Sequence, residues 1–227
     1  MAVPVVTIDG PSGSGKGTIS QWLAERLGWH LLDSGALYRL TALAGRKAGA
    51  DLINAAVMSR IAEQLDIAFR LVPGEEGVRT LLEGGDVSLQ LRTEDCGRAA
   101  SIVAAIPEVR TALLHRQRAF RQPPGLVADG RDMGTVVFPD AEVKIFLTAS
   151  AEARAQRRYK QLNEKGIGAS LPDLLRDILQ RDQRDQERAV SPLKPAEDAV
   201  ILDTTGMSVG EVCDRVYAEF QARLRRD

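Results

Sequence analysis

Four glycines and a lysine crowd the stretch Gly10-Pro11-Ser12-Gly13-Ser14-Gly15-Lys16-Gly17-Thr18. The apolar run Val3-Pro-Val-Val-Thr-Ile8-Asp9 precedes it, and the helical pattern Ile19-Ser-Gln-Trp22-Leu23-Ala-Glu-Arg-Leu27 follows. Strand, glycine-rich turn and helix, in that order, make a seat for a phosphate chain. Glycines let successive backbone N–H groups point inward at one anion. The helix adds its unpaired N–H groups and the positive end of its dipole. Lys16 reaches a terminal phosphate as a point charge. One position is unusual. Ser or Thr commonly follows the lysine and ligates Mg²⁺, whereas here Gly17 stands there and Thr18 comes one later. Gly17 has no side-chain oxygen, so the metal must be held by other groups, water among them.

Carboxylates and arginines supply the other chemistry. Leu171, Leu174, Leu175, Ile178 and Leu179 form an apolar stripe at helical spacing. Continued at about 100° per residue, the stripe places Asp182 and Asp185 where core residues should come next, with Arg181 and Arg188 along the flank. Inward carboxylates imply that this helix end lines a polar cavity. The plainer alternative is a surface ladder of ion pairs worth a few tenths of a kcal/mol each, which describes Arg184 and Glu187 well. Arg154, Arg157 and Arg158 share one face of the preceding helix. Like charges so spaced repel, so either an anion lies between them, with Arg157 on the nucleotide side, or the face is simply solvated. Ala128-Asp129-Gly-Arg131-Asp132-Met-Gly134-Thr follows an apolar run. It falls at the carboxyl edge where open α/β sheets bind ligands. Asp129 is suited to hold Mg²⁺ directly or through water, Arg131 to clamp a phosphate, and Asp132 to accept hydrogen bonds. A turn would favour the same residue types.

The elements that must position these groups alternate along the chain. Strands are expected at Trp29–Asp33, Gly125–Asp129, Val143–Leu147 and Val200–Asp203. All are brief apolar runs of the kind buried on both faces of a parallel sheet. Helices are expected through Tyr38–Leu43, Leu52–Leu65, Glu94–Ala105, Glu108–Phe120, Ala151–Lys165, Leu171–Ala189 and Val209–Arg225. Between them Ile67–Val72, Val78–Glu83 and Asp86–Leu91 alternate as short strands separated by glycines, a small antiparallel insert. Gly166-Ile167-Gly168-Ala169-Ser170 has the composition of a lid tip between two helices.

The chain has 227 residues, 30 Lys and Arg against 31 Asp and Glu, and a net charge of −1. Its length suits one domain with inserted lobes. The pI of about 6.2 offers no general basic field for nucleic acid or an anionic membrane. No apolar run is long enough to span a bilayer, and the first residues read as strand and not as a targeting segment. Two histidines standing alone, His30 and His115, make no metal cluster. Cys96 and Cys213 lack metal-like spacing and read as reduced thiols of a cytoplasmic protein.

The Gly-Lys-Gly-Thr ending resembles the nucleoside monophosphate kinases. Gly10–Thr18, Leu32-Asp-Ser34-Gly-Ala-Leu-Tyr38-Arg39, Ala128–Pro139 and Arg181-Asp-Gln-Arg-Asp185-Gln-Glu-Arg188 together resemble the bacterial cytidylate kinases over nearly the whole chain, the insert near 67–91 included. The resemblance implies an α/β P-loop core with a parallel sheet, a small three-strand insert in a monophosphate-binding region of about 35–120, and an arginine-rich lid at about 154–188. It implies phosphoryl transfer from ATP, with Mg²⁺, to CMP and secondarily dCMP; a monomer is the default expectation. By the same resemblance Gly10, Pro11, Ser12, Gly13, Ser14, Gly15, Lys16, Gly17 and Thr18 bind ATP. Ser34, Arg39, Arg131 and Arg188 hold the acceptor phosphate. Ser101, Arg110 and Asp132 read cytosine, and Arg181 and Asp185 hold ribose. Lys16, Arg131 and Arg188 carry the catalytic charge. Another P-loop small-molecule or nucleoside monophosphate kinase is the alternative. A P-loop switch protein would leave Arg131, Asp132, Asp185 and Arg188 without a purpose. A nucleic-acid-dependent ATPase would want a basic surface.

Overall fold

The computed structural model describes residues 3–71, 78–164, 166 and 168–224. In chain order its elements begin β1 (Val5–Asp9), α1 (Lys16–Leu27), β2 (His30–Asp33), α2 (Ser34–Lys47) and α3 (Ala55–Glu63). There follow β3 (Ile67–Leu71), β4 (Val78–Leu82), β5 (Gly85–Asp86), α4 (Ser88–Leu91), α5 (Glu94–Val103) and α6 (Pro107–Arg118). The chain continues with β6 (Leu126–Gly130), a π-helical turn (Met133–Val137), β7 (Val143–Thr148), α7 (Ala151–Glu164), α8 (Leu171–Glu187), β8 (Val200–Asp203) and α9 (Val209–Leu224). They group into two compact units, one of Met1–Asp33 with Gln117–Asp227 and one of Ser34–Arg116.

The first unit holds a five-stranded parallel sheet in the order β2-β6-β1-β7-β8. β1 lies at its centre because all five of its residues are buried, as a strand covered on both faces requires. Ile8 packs with Ile19 and Leu23 of α1 and with Val216 and Phe220 of α9, a continuous apolar core. Register matters more than core here. Asp9 pairs with Gly130 on one side and Phe146 on the other. The loops that leave β1 and β6 therefore start level with one another at the carboxyl edge of the sheet. In the same unit α7 and α8 pack through Ala155, Leu162, Leu174 and Ile178. Two members of the expected stripe lie outside that contact, Leu171 at the exposed helix start and Leu179 on the solvent side.

The second unit contains the three-stranded antiparallel sheet β3-β4-β5 beside α2 to α5. Its third strand is far shorter than the expected Asp86–Leu91: β5 stops at Asp86, and Ser88–Leu91 is helical. The cause is local. Asp86 Oδ1 accepts from the Ser88 backbone N–H at 2.9 Å and from its hydroxyl at 2.6 Å, closing a turn. Ser88 Oγ in turn accepts from the Thr80 N–H at 2.9 Å, taking the place of a ladder bond. Val72, Lys165, Ile167 and Arg225, included in the expected elements and lid tip, lie outside the described residues.

Candidate active site

The loop after β1 is built by steric necessity. Gly10 has φ +147°, and a Cβ there would fall 2.0 Å from the carbonyl oxygen of Leu147. Only glycine lets the chain leave β1 so close to β7. Gly13, at φ +77°, lies under Arg154, whose Cβ would sit 3.2 Å from an added methyl. Gly15 caps α1 in a left-handed conformation, and Lys16 is the first helical residue. Lys16 is buried, and its Nζ donates to the carbonyl of Pro11 at 2.9 Å, arching over the loop. Ser14 Oγ is buried in the same loop with no hydrogen-bond partner, a state that a folded protein seldom leaves unexplained. Asp129 Oδ2 lies 3.6 Å from where a Cβ on Gly17 would stand. The carboxylate thus flanks the position at which other P-loops carry their metal-binding hydroxyl.

Charge gathers around Lys16. Burial and the neighbouring Arg131 push its amine down to about 7, Arg181 adds to the effect, and Asp129 and Asp9 resist it. The turn after β6 places Arg131 so that its Nε donates to Asp185 Oδ2 at 2.9 Å and its Nη1 to the Gly130 carbonyl at 3.4 Å. Burial alone would raise the Asp185 carboxyl, but Arg131, Arg181 and Arg188 outweigh it and hold Asp185 below the usual carboxylate range. Asp185 in turn raises Arg131 against the cost of its burial. Arg188 ends α8 with its Nε donating to the Asp185 carbonyl at 3.3 Å. Arg131, Arg181, Asp185 and Arg188 therefore form one cluster, and α8 does turn carboxylates inward.

Asp182 does so for a different partner. It receives a bidentate pair from Arg154, with Nη1 to Oδ1 at 3.0 Å, both side chains largely buried. Arg154 also donates to the carbonyls of Ser12 and Ala149, each at 3.0 Å. Arg157 donates to the hydroxyl and carbonyl oxygens of Thr204, and Arg158 to Gln161. Protein acceptors thus offset much of the repulsion on this helix face. Arg184 donates to the Gln180 carbonyl and Glu187 accepts from Gln183, the surface contacts of a solvated flank.

The second unit arranges its own group. Ser34 opens α2 and is buried; Arg39 donates to the Leu91 carbonyl at 3.1 Å. Ser101, on α5, has a buried hydroxyl with no hydrogen-bond partner. Arg110, on α6, is buried, donates to the Ala104 carbonyl at 3.2 Å, and holds its guanidinium 5.6 Å from the centre of the Tyr38 ring. Ser101 and Ala104 are one helical turn apart, so Ser101 and Arg110 share one locality.

Sequence reasoning missed Asp9 and the π-helical turn. Asp9 ends β1 as a buried carboxylate accepting 2.8 Å bonds from the N–H groups of both Met133 and Gly134. Burial, helped by the charge of Asp132, raises it to about 7 against the pull of those two amides. The available signal was a carboxylate ending a fully apolar strand.

A central parallel sheet, a phosphate loop capping its first helix, and arginines converging on the loop lysine define a P-loop kinase. A family model described as cytidylate kinase matches residues 6–222. Curated cytidylate kinases of Aeromonas salmonicida (strain A449) and Shewanella sediminis (strain HAW-EB3) are 60% and 58% identical over 221 residues. Those alignments cover 97% of this chain in both cases and 95% and 96% of the relatives. The counterpart from Stutzerimonas stutzeri (strain A1501) is 59% identical over the same share of this chain and 96% of its own. The chain belongs to the cytidylate kinase family and is a nucleoside monophosphate kinase, a phosphotransferase. No helix among the described residues is long and apolar enough to cross a membrane.

Proposed function

We propose that this chain transfers the γ-phosphoryl group of ATP to CMP, and to dCMP as a second acceptor. The observation that carries the proposal is geometric: Lys16 arches over the glycine loop to the Pro11 carbonyl, and Arg131, Arg181 and Arg188 gather on Asp185 beside it, so that burial first and Arg131 and Arg181 after it depress the lysine. A phosphate chain is the ligand that such a lysine and its neighbouring arginines suit. Lys16 and the N–H groups of Gly10–Thr18 take the donor phosphates. Arg157 stands on the nucleotide side. Arg131 and Arg188 hold the acceptor phosphate, and Ser34 and Arg39 keep the phosphate role that the family resemblance implies for them. Asp185 and Arg181 take the ribose.

Asp132, Ser101 and Arg110 recognise the base. A carboxylate attracts the 4-amino group of cytosine and repels the 4-carbonyl of uracil, while arginine, a pure donor, suits the N3 and O2 acceptors of cytosine. The unmet hydroxyl of Ser101 fits a role completed by ligand. The acceptor phosphate has a second pKa of about 6, so its attacking oxygen is already ionised at neutral pH and no general base is required. Catalysis is then positioning plus charge neutralisation. Mg²⁺ needs few protein ligands when the nucleotide supplies phosphate oxygens. Asp129 beside Gly17 suits one such contact, direct or through water, and the ion would offset charge on the transferring phosphate. The enzyme works as a cytoplasmic monomer; Cys96 and Cys213 are free and buried.

A coupled ADP-release assay with MgATP and each of CMP, UMP, AMP and GMP tests the proposal. CMP should exceed UMP by at least about a hundredfold in specificity constant, because two mismatched contacts together should exceed the roughly 1–3 kcal/mol of one good bidentate base contact. UMP within threefold of CMP would refute the cytosine pocket. ATP turnover indifferent to every monophosphate would refute the acceptor altogether.

A further inference from the structure

Asp132 sits where a helix-capping residue belongs, yet it does no capping. It is the N-cap of the π-helical turn, and its side chain makes no capping hydrogen bond. An aspartate in that position ordinarily turns its carboxylate onto the first free N–H groups of the turn. Here the first two N–H groups of the turn, those of Met133 and Gly134, are taken from outside the turn by Asp9, at 2.8 Å each, and the second is one that an N-cap side chain ordinarily reaches. The backbone of Asp132 is engaged in the turn nonetheless, its carbonyl accepting from Val136 at 2.9 Å and Val137 at 3.2 Å.

Resting on the cytosine-pocket reading above, we infer that Asp9 is a positioning residue for base selection. By capping the turn in place of Asp132, it holds that carboxylate off its own backbone and turned toward the acceptor base. The supporting geometry is rigid. Asp9 is fixed by pairing to β6 and β7, and it is directly followed by Gly10 of the phosphate loop. Removing an acceptor from Asp9 leaves buried N–H groups unmet, a costly state. Asp132, as N-cap of the same turn, is the residue whose carboxylate would then be drawn onto those N–H groups and away from the base.

Asp9→Asn keeps the size of the side chain but puts an amide donor opposite one of the two N–H groups. Specificity constants for CMP and UMP, and KM for ATP, would be measured for wild type, Asp9→Asn, Asp132→Ala and the double variant. The expected result for Asp9→Asn is a CMP KM at least tenfold higher, a CMP-to-UMP ratio at least tenfold narrower, and an ATP KM within threefold of wild type. The double variant should discriminate no less than Asp132→Ala alone, since both changes remove the same contact.

An unchanged ratio in Asp9→Asn, or losses that add in the double variant, would overturn the inference while leaving the pocket intact. A ratio unmoved by Asp132→Ala would overturn the pocket itself, and the inference with it. Should Asp9→Asn not fold, hydrogen exchange at Met133 and Gly134 decides in wild type and Asp132→Ala. Protection retained without the Asp132 carboxylate supports capping by Asp9, and protection lost with it refutes that role.

Discussion

Binding MgATP should make the protein take up a proton, and the amount follows from Lys16. With its amine near 7 in the substrate-free protein, the lysine is about nine-tenths neutral at pH 8 and about one-tenth neutral at pH 6. A phosphate chain placed against it restores the charged form, returning the amine toward its ordinary value near 10.5. The expected uptake is therefore about 0.9 proton per nucleotide at pH 8 and about 0.1 at pH 6. The assay is calorimetric titration of MgATP, without acceptor, in buffers of different ionisation enthalpy at pH 6, 7 and 8. The slope of observed heat against buffer enthalpy counts the protons. Lys16→Met should remove most of the uptake at pH 8. The linkage has a second face. Between pH 7 and 10.5 the unfolded chain carries a proton on this lysine that the substrate-free fold lacks, so this group makes stability rise with pH across that window. Saturating nucleotide should flatten the rise. Uptake below about 0.2 proton at pH 8 would mean that Lys16 is already charged without ligand, and that the arginine convergence does not act on it as described.

Arg154→Ala should destabilise the fold by about 3–5 kcal/mol, the cost of leaving the buried Asp182 carboxylate uncompensated; urea unfolding showing less than 1 kcal/mol would reduce the pair to a surface contact. Gly10→Ala should abolish nucleotide-dependent thermal stabilisation, because its methyl would meet the Leu147 carbonyl oxygen at 2.0 Å; a normal thermal shift would show that the loop can leave β1 by another route. Asp185→Ala should weaken CMP more than dCMP, by about 1.5–3 kcal/mol for a charged hydrogen bond to the 2′-hydroxyl. Equal losses in steady-state kinetics would assign Asp185 to Arg131 alone.

Much of the core could be read from the chain because it rests on local rules. β8 matches its apolar run, β7 runs one residue further than expected, and β6 is shifted by one residue at both ends. The inward side of α8 was legible for the same reason, since a carboxylate interrupting an apolar period is a contradiction that only a polar cavity resolves. What the sequence did not disclose was pairing across distance. Nothing local assigns Asp182 to Arg154 and Asp185 to Arg131, three residues apart on one helix yet serving partners 28 and 54 positions away. The insert misled for the opposite reason. Val87, Leu89 and Leu91 alternate like a strand, but the bond from Ser88 to Asp86 closes a turn first, and Leu89 is left 82% exposed. The π-helical turn has no periodic signature at five residues, and its cause, Asp9, lies more than 120 residues earlier.

Arg154 also sets where the α7–α8 hairpin can bend. It sits in the first turn of α7 and ties together the Ser12 carbonyl, the Ala149 carbonyl and Asp182 near the far end of α8. A swing of the whole hairpin would have to break a buried bidentate ion pair or drag the phosphate loop along with it. A swing of the distal turns, from about Arg158 to Ile178, strains none of these bonds. The hairpin is thus clamped at its root, beside the phosphate loop. A movement confined to those distal turns would leave the bond to the Ser12 carbonyl, and with it the conformation of the glycine-rich loop, in place.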